Sequence, residues 1–516
     1  MKTTTKTLFL LILCMVTTAR AGGQDIRMRL DTFFKSLYQY GEINGNVLVA
    51  EQGNIIYQQS FGLADFENNI PNTDNTEFSL ASVSKTFTST AVLQLRDKNK
   101  FKLDEPLAKY LPDFPYRKIT IRNLLSHTSG LPDYELYEKQ ITENPGKIFS
   151  NKDVLSSLKM WNKPLSFTPG EKWQYSNTNY CLLALLVEKV SGITFQQYVK
   201  QYIFTPAKMN STYFLKNATH VQDNKRAVNY EYPFLFSDKM QNVDSLAKYR
   251  WRTFSASGFI GQGNVITTAA DLLKFDDALY HNKLLKKSTL DEAFTPAKLN
   301  NGENNIANIG IGKTSYGLGW FIFADSSSGK MVFHTGGQPG ALSIFIRNIT
   351  KKQTVIIFDN TFNRSIYGNG INTMAILNGK AIIIRKKSLT KVYGKVLAIK
   401  GVDAAFCKLQ RLRADSAHYY LSEGEMNELG LQLLYSGNFT NHDELALETL
   451  KLNTLFFPAS FNTYDSYGEA LAKTGKIQES IFMYKRSIEL NPDNEGGKQA
   501  LKSLLTDKIS SDDSKK

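Results

Sequence analysis

Cysteine is scarce in this chain, and the patterns that cysteine and histidine form at metal sites are missing from it. The 516 residues include three cysteines and six histidines. Neither HExxH nor CxxC occurs, so the sequence gives no support for a metal site or for any other cofactor. Two of the cysteines, Cys181 and Cys407, lie too far apart to indicate a disulfide scaffold. Cys181 lies in the apolar run YCLLALLVEKV, which predicts a buried side chain.

Long hydrophobic runs are also lacking beyond the first residues, so no transmembrane helix is expected there. Residues 1–21 have the pattern of a signal peptide. Lys2 and Lys6 form a basic start, Leu8–Val16 is a short apolar stretch, and Ala19–Ala21 resembles a cleavage site. The sequence therefore predicts an exported protein, either periplasmic or secreted.

Positive charge predominates, with a formal net charge of +14. Basic motifs interleaved with aromatic residues are absent, which argues against a nucleic-acid partner. The positive charge is more typical of an ordinary solvated surface, and peripheral association of an exported protein with an anionic envelope polymer or lipid is the alternative. The loop GFIGQG (258–263) opens no βαβ unit, so it does not indicate dinucleotide binding. We expect it near the functional site.

The order of strand and helix patterns predicts an α+β fold. Residues 46–65 alternate around the turn EQGN, as a β-hairpin does. Residues 83–99 carry apolar side chains near helical spacing. Three strand-like runs follow one another in 331–361 and predict a meander. Early strands, a long helical middle and late strands together indicate one antiparallel sheet flanked by helices.

The pattern changes near residue 388, where strands give way to helices. Pro458 and Pro492 are 34 residues apart, which is the tetratricopeptide period. We therefore predict tetratricopeptide-like helical hairpins over 425–510, and generic antiparallel helices are the alternative. The sequence therefore predicts five segments: a signal peptide (1–21), a hydrolase domain (22–387), a helical linker (388–424), the repeats (425–510) and a disordered tail (511–516).

The stretch ASVSKTF, residues 81–87, contains a candidate nucleophile. A serine hydroxyl needs a base within hydrogen-bond reach, and Ser82 and Lys85 would share one helix face. Loss of solvation would lower the pKa of Lys85 and let it accept a proton. Ser84 would point elsewhere and is the weaker candidate. Taken alone, the pair is far more typical of a helix start with a capping serine and an exposed lysine.

Two later motifs change that interpretation. Tyr175-Ser176-Asn177 follows PGEKWQ, and His334-Thr335-Gly336 ends a strand-like run. The ordered set resembles the serine β-lactamase and penicillin-binding-protein superfamily, in which S-x-x-K is followed by Y-x-N and then K-T-G or H-x-G. The resemblance covers roughly residues 25–380. Within the superfamily, the sequence most resembles the branch of class C β-lactamases and S12-type peptidases and esterases. The resemblance implies a sheet with an adjoining all-helical subdomain.

The resemblance also implies a role for each motif residue. Ser82 would be the acylated nucleophile, and Lys85 and Tyr175 would share the acid–base work. The Lys85 ammonium would make the Tyr175 phenol easier to ionise. The backbone N–H groups of Ser82 and Gly337 would form the oxyanion hole. The substrate-binding residues would be Asn177, His334, Thr335 and Gly336.

Histidines occupy two positions that need separate interpretation. His334 stands where β-lactamases commonly have lysine, and a neutral imidazole attracts a substrate carboxylate less. Protonation in mildly acidic conditions would restore the attraction. His127, in LLSHTSGLPDY, is a candidate triad base, but the resemblance implies that this segment is scaffold. No G-x-S-x-G elbow occurs, which argues against an α/β-hydrolase.

The sequence thus favours an exported serine hydrolase that forms an acyl-enzyme on Ser82, acting on a D-amino-acid peptide or a small ester or amide. A class C-like β-lactamase is one alternative. A ligand sensor or scaffold, with the repeats binding a protein partner, is another. Loops around 120–160 and 205–260 would build the pocket, and KYRWRTFSASG (248–258) offers it aromatic and cationic groups.

Overall fold

The computed structural model describes residues 25–215, 225–383, 386–437 and 440–513, with side chains as far as residue 506. The predicted signal peptide lies outside these ranges. The chain divides into two compact units. The first comprises the described parts of Met1–Glu231 and Asn242–Ile383, and the second those of Tyr232–Gln241 and Ile384–Lys516. The boundaries predicted at 387 and 424 stay predictions.

The structure contains the following strands and helices. The strands are β1 (Gly45–Glu51), β2 (Asn54–Phe61), β3 (Leu63–Asp65), β4 (Ile70–Pro71), β5 (Phe78–Ser79), β6 (Tyr213–Phe214), β7 (Tyr230–Glu231), β8 (Gln241–Asn242), β9 (Val265–Thr267), β10 (Thr314–Tyr316), β11 (Phe321–Phe323), β12 (Met331–Gln338), β13 (Ala341–Asn348), β14 (Gln353–Asp359), β15 (Lys387–Ser388) and β16 (Tyr419–Tyr420). The helices are α1 (25–39), α2 (Lys85–Asp97), α3 (Ile121–Leu125), α4 (Glu138–Glu143), α5 (Asn151–Trp161), α6 (Asn177–Ser191), α7 (Phe195–Val199), α8 (Ala269–Tyr280), α9 (Lys287–Ala293), α10 (Ser365–Leu377), α11 (Leu389–Arg413), α12 (Glu423–Ser436), α13 (His442–Phe456), α14 (Phe461–Lys473), α15 (Ile477–Leu490) and α16 (Glu495–Asp513).

A seven-stranded antiparallel sheet in the order β10-β11-β12-β13-β14-β1-β2 organises the first unit. The predicted hairpin is present as β1 and β2. Its turn residues Gln52 and Gly53 have φ of 52° and 79°, which is the geometry of a tight two-residue hairpin turn. The predicted meander is β12, β13 and β14, in which Gly337 pairs with Leu342. The α+β fold class is therefore confirmed.

Both faces of the sheet are covered. On β13, Phe345 packs into the core that α2, α6 and α8 share. Its neighbours Ile344 and Ile346 point the other way, into the core formed with α1 and α10. This alternation follows from the two-residue period of a strand. Helices packed on one face of the sheet thus hold the start of α2 against it.

A buried ion pair ties the sheet to α8. Arg347 Nε lies 2.5 Å from Asp276 Oδ1, with both side chains almost fully buried. The guanidinium also stacks over Tyr280, at 4.2 Å from the ring centroid. Burial raises the pKa of Asp276 to about 6 despite the adjacent arginine. Such a pair costs a great deal to break, because one charge would be left buried alone.

The second unit is helical apart from the short pair β15–β16. Helices α12 and α13 form one hairpin, and α14 and α15 form another. Gly430 lets Leu450 approach closely in the first hairpin, and Gly468 does the same for Tyr484 in the second. Hairpins therefore occur where repeats are predicted, while the tetratricopeptide assignment stays a prediction. Helix α16 continues to Asp513, into the range predicted to be a disordered tail.

A short segment from the middle of the chain belongs to this helical unit. Residues Tyr232–Gln241 bring Phe236 into its core, where the side chain packs with Leu389 and Tyr393. The backbone N–H of Leu235 donates to Gln432 Oε1 at 2.7 Å. The helical unit is therefore built from two separate stretches of sequence.

The two cysteines of the described ranges form no disulfide bond with each other. Cys181 is buried and Cys407 exposed, and both are free thiols. Burial raises the pKa of the Cys181 thiol to about 12, as its apolar surroundings predict. Within the described ranges no helix is both long and apolar enough to cross a membrane.

Candidate active site

The turn Ala81–Ser84 presents Ser82 at the start of α2. The backbone on either side of Leu80 is fixed, because its N–H donates to Val265 O and its carbonyl accepts from Ser343 Oγ at 2.7 Å. Ala81 then has φ of +45°, a left-handed conformation that non-glycine residues rarely adopt. Ser82 emerges from this constrained turn partly exposed, while Ser84 is buried.

Lys85 is fully buried and touches the candidate nucleophile directly. Its Nζ donates to Ser82 Oγ at 3.0 Å, to Asn177 Oδ1 at 2.8 Å and to the Gln262 carbonyl at 2.8 Å. Burial lowers the pKa of Lys85 to about 7, against an opposing effect of Asp133. A lysine with this pKa exchanges its proton near neutral pH, as a catalytic base must. The GFIGQG loop contributes the Gln262 carbonyl and lies at the site, as expected.

Tyr175 lies near enough to Ser82 for the serine side chain to influence the pKa of the phenol. The expectation that Lys85 eases its ionisation is not met. Burial raises the pKa of Tyr175 well above its ordinary value. The Lys85 Nζ lies 4.9 Å from the centroid of the phenol ring, facing the ring itself. The structure therefore holds Tyr175 as a neutral phenol, which can donate a proton.

Asn177 is held by a carboxylate that sequence reasoning did not identify. Asp133 Oδ1 accepts from the Asn177 backbone N–H at 2.8 Å, and Asp133 Oδ2 accepts from Asn177 Nδ2 at 3.0 Å. These two bonds orient the amide so that its oxygen faces Lys85. A single Asp after GLP has no motif of its own, so only its placement reveals this role.

His127 supports Tyr175 and makes no hydrogen bond to Ser82. Its ring stacks on the Tyr175 ring with centroids 4.3 Å apart. Its Nδ1 accepts from the Ser176 backbone N–H at 3.2 Å and lies 3.0 Å from Asn179 Nδ2. Burial holds its pKa well below the usual range, so the ring is neutral. The histidine is thus scaffold, as LLSHTSGLPDY suggested.

Strand β12 brings the third motif beside the nucleophile turn. It pairs with β11 through Val332 and Phe333, whereas its later residues pair with β13. The last part of β12 is therefore a strand edge next to Ser82. Gly337 is exposed on this edge, and Thr335 is half-buried.

His334 and Gly336 are both buried, and the substrate-binding role that the resemblance implies for them stays a prediction. His334 is fully buried, and its Nε2 lies 3.0 Å from the Tyr316 hydroxyl. Burial lowers its pKa to about 3, so mild acid does not protonate it, contrary to the sequence expectation. A Cβ on Gly336 would lie 2.1 Å from the Leu80 carbonyl oxygen. Gly336 thus permits the strand to approach the nucleophile turn.

The described residues contain no cluster of His, Cys, Asp or Glu side chains that could hold a metal ion. The chemistry available is that of a serine, a buried lysine, a neutral phenol and a strand edge. This set suits acyl transfer through a covalent serine intermediate.

Comparison with known proteins agrees with this arrangement. The β-lactamase family profile matches residues 29–368. Penicillin-binding protein 4* of Bacillus subtilis (strain 168) is 36% identical over 353 residues, which is 67% of this chain and 75% of that protein. A penicillin-binding protein structure from Bacillus halodurans has 26% identity and a TM-score of 0.55, covering 68% of this chain and 98% of the other.

A further solved structure shares the fold alone. The D-amino acid amidase of Ochrobactrum anthropi SV3 has 22% identity and a TM-score of 0.56, covering 69% of this chain and all of the amidase (100%). The matched region holds all three motifs and ends before α11. The chain therefore belongs to the β-lactamase family, as one of its serine hydrolases.

Proposed function

We propose that the protein cleaves an amide or ester bond through an acyl-enzyme on Ser82. One observation carries the proposal: a lysine with no exposed surface lies 3.0 Å from a partly exposed serine hydroxyl. A structural lysine would be expected to reach water or an acidic partner directly. Lys85 instead donates to Ser82, an amide oxygen and a backbone carbonyl.

In the acylation step, neutral Lys85 takes the proton of Ser82 as Oγ attacks the substrate carbonyl carbon. The carbonyl electron pair moves to oxygen, which the N–H groups of Ser82 and Gly337 stabilise by about 3 kcal/mol per donor. The intermediate collapses and expels the leaving group. Tyr175 supplies that group with a proton and regains one from Lys85.

Deacylation runs the same groups in reverse. A water molecule adds to the acyl carbon and gives its proton to Lys85, directly or through Tyr175. Ser82 then leaves as the hydroxyl and the product acid departs. Asn177 holds Lys85 in place during both steps and offers its amide to the substrate. Thr335 and Gly337 on β12 present the strand edge along which the substrate lies.

The substrate proposed is a D-amino-acid peptide or a small ester or amide. The relatives named as penicillin-binding proteins and the D-amino acid amidase support this class. Neutral His334 supports it too, because a dedicated β-lactamase commonly has a lysine cation at that position. A hydrolysis panel separates the classes: nitrocefin, p-nitrophenyl esters, D-Ala-D-Ala peptides and D-amino-acid amides.

Labelling with a fluorophosphonate or a fluorescent penicillin tests the nucleophile itself. Wild-type protein and Ser84→Ala should be labelled, and Ser82→Ala should not. Ser84 is the matched control because its buried hydroxyl makes no hydrogen bond in the described structure. A folded wild type that resists every probe would instead favour a non-catalytic sensor.

Export to the periplasm or the medium is part of the proposal, on the pattern of residues 1–21. Fractionation of cells expressing the full chain, with N-terminal sequencing of the product, tests it. Two partner predictions accompany it: a protein segment bound by the C-terminal hairpins, and an anionic envelope surface met by the basic exterior. Pull-down with the full chain and sedimentation with anionic vesicles test these separately.

A further inference from the structure

The substrate edge of this site lacks a cation. Residues 334–338 read HTGGQ, and His334 is buried and neutral. Lys85 is committed to Ser82, Asn177 and a carbonyl. If the substrate carries an anionic group, another part of the chain has to bind it.

Arg252 is placed to do so. Its guanidinium carbon lies 4.6 Å from the centroid of the Tyr134 ring, and the side chain is half-buried. Tyr134 directly follows Asp133, the carboxylate that holds Asn177, so Arg252 stacks on the neighbour of a residue that contacts the site. Trp251 meets the same ring edge-on at 5.5 Å between centroids.

The charge of Arg252 has no counter-ion within the structure as described. It stacks on an aromatic ring, and no carboxylate of the described residues lies at ion-pair distance from it. Its charge nonetheless reaches the reaction centre, because it contributes to the lowered pKa of Lys85. A half-buried guanidinium that stacks on an aromatic ring, without a carboxylate of the described residues at ion-pair distance, is arranged to receive one from a ligand.

We propose that Arg252, with Tyr134 and Trp251, binds an anionic group of the substrate, so that the enzyme prefers acyl donors bearing a carboxylate. The inference rests on the proposed function and narrows its substrate class. The guanidinium would form a charge-assisted pair with the carboxylate, and the two rings would enclose the intervening methylene groups.

A matched pair of esters tests the proposal. Mono-p-nitrophenyl glutarate carries a carboxylate, and its methyl ester is the neutral counterpart. Wild type should prefer the acid by at least about 10-fold in kcat/KM, since hydrogen bonds to charged groups are worth about 1.5–3 kcal/mol. The preference should shrink as salt is added.

The variants are Arg252→Gln, Arg252→Lys and the control Arg250→Gln. Arg250 stacks on Phe254 and not on Tyr134. Its replacement therefore removes the same charge at a position away from the Tyr134 ring. Arg252→Gln should lower the acid-to-ester preference about 10- to 100-fold, mainly through KM of the acid. Arg252→Lys should keep part of the preference, and Arg250→Gln all of it.

Three results would overturn the inference: no preference in wild type, an unchanged preference in Arg252→Gln, or an equal fall in Arg250→Gln. The wild-type preference and its salt dependence decide the matter even if a variant fails to fold. If both esters are cleaved without preference and Ser82 is labelled, only this inference fails. If neither ester is cleaved and Ser82 is never labelled, the proposed function fails with it.

Discussion

Replacing Asp133 with asparagine should disable the base without changing the size of any side chain. Both Asp133 oxygens accept hydrogen bonds from Asn177, one from the backbone and one from the side chain. An asparagine offers one oxygen and one NH₂ group, so one donor of Asn177 must face another donor. If the Asn177 amide turns over to avoid this conflict, its NH₂ group takes the place of the oxygen that accepts from Lys85 Nζ. Lys85 then loses that hydrogen bond and faces a second donor.

The hydrogen bonds and the charge of Asp133 set the expected size and direction of the effect. One hydrogen bond to a charged group is worth about 1.5–3 kcal/mol, so kcat/KM should fall about 10- to 100-fold. The negative charge of Asp133 raises the pKa of Lys85, and its removal lowers that pKa below the wild-type value of about 7. Because the neutral lysine is the base, activity rises with pH through this pKa. The acidic limb of kcat/KM should therefore move to lower pH.

The assay is the pH profile of kcat/KM for a p-nitrophenyl ester. The control is Glu135→Gln, which removes a carboxylate two positions away that accepts the Asp133 backbone N–H. That control should keep the wild-type profile. A normal rate and an unshifted acidic limb in Asp133→Asn would refute the claim that this carboxylate positions Asn177 and Lys85.

Three further predictions concern close packing and buried charge. Gly336→Ala should abolish labelling of Ser82, because its Cβ would lie 2.1 Å from the Leu80 carbonyl oxygen; probe labelling of the folded variant checks this. Asp276→Ala should lower the free energy of unfolding by about 3–5 kcal/mol, measured in urea, since it leaves Arg347 charged and buried. Phe236→Ala should destabilise the helical unit by about 3–5 kcal/mol, seen as faster proteolysis within residues 389–513.

The sequence was sufficient to locate the candidate nucleophile, the lysine that contacts it and the strand motif, because each lies in a short segment with its own signature. Ser82 and Lys85 lie within one helical turn of each other. The turn sequence EQGN predicts the hairpin of β1 and β2. Alternation and turn residues likewise predicted the meander. These features depend on local spacing, which a sequence displays directly.

The direction of a pKa shift depends on how deeply the group is buried, and the sequence did not predict this direction for Tyr175 or His334. The residue types predict that Tyr175 ionises more easily beside an ammonium, yet desolvation of the phenol raises its pKa well above the ordinary value. The residue type predicts that His334 protonates in mild acid, yet its ring is fully buried against the Tyr316 hydroxyl. Neither outcome follows from residue types, because both depend on how much water the fold removes.

Isolated residues placed by tertiary structure could not be predicted either. Asp133 has no motif and reaches Asn177 across 44 positions of chain. Phe236 joins helices that begin more than a hundred residues later, from a segment without helical spacing. Arg252 was recognisable only as a cation within KYRWRTFSASG. Long-range contacts of single side chains leave no periodic trace in the sequence.

The most direct test of the central claim is to trap the acyl-enzyme that forms while the protein hydrolyses an ester. Protein mixed with a p-nitrophenyl ester, quenched in acid and digested should give one acylated peptide, the one containing Ser82. Lys85→Met should lose this adduct while Ser84→Ala keeps it. Turnover without an adduct, or an adduct on another residue, would contradict the account.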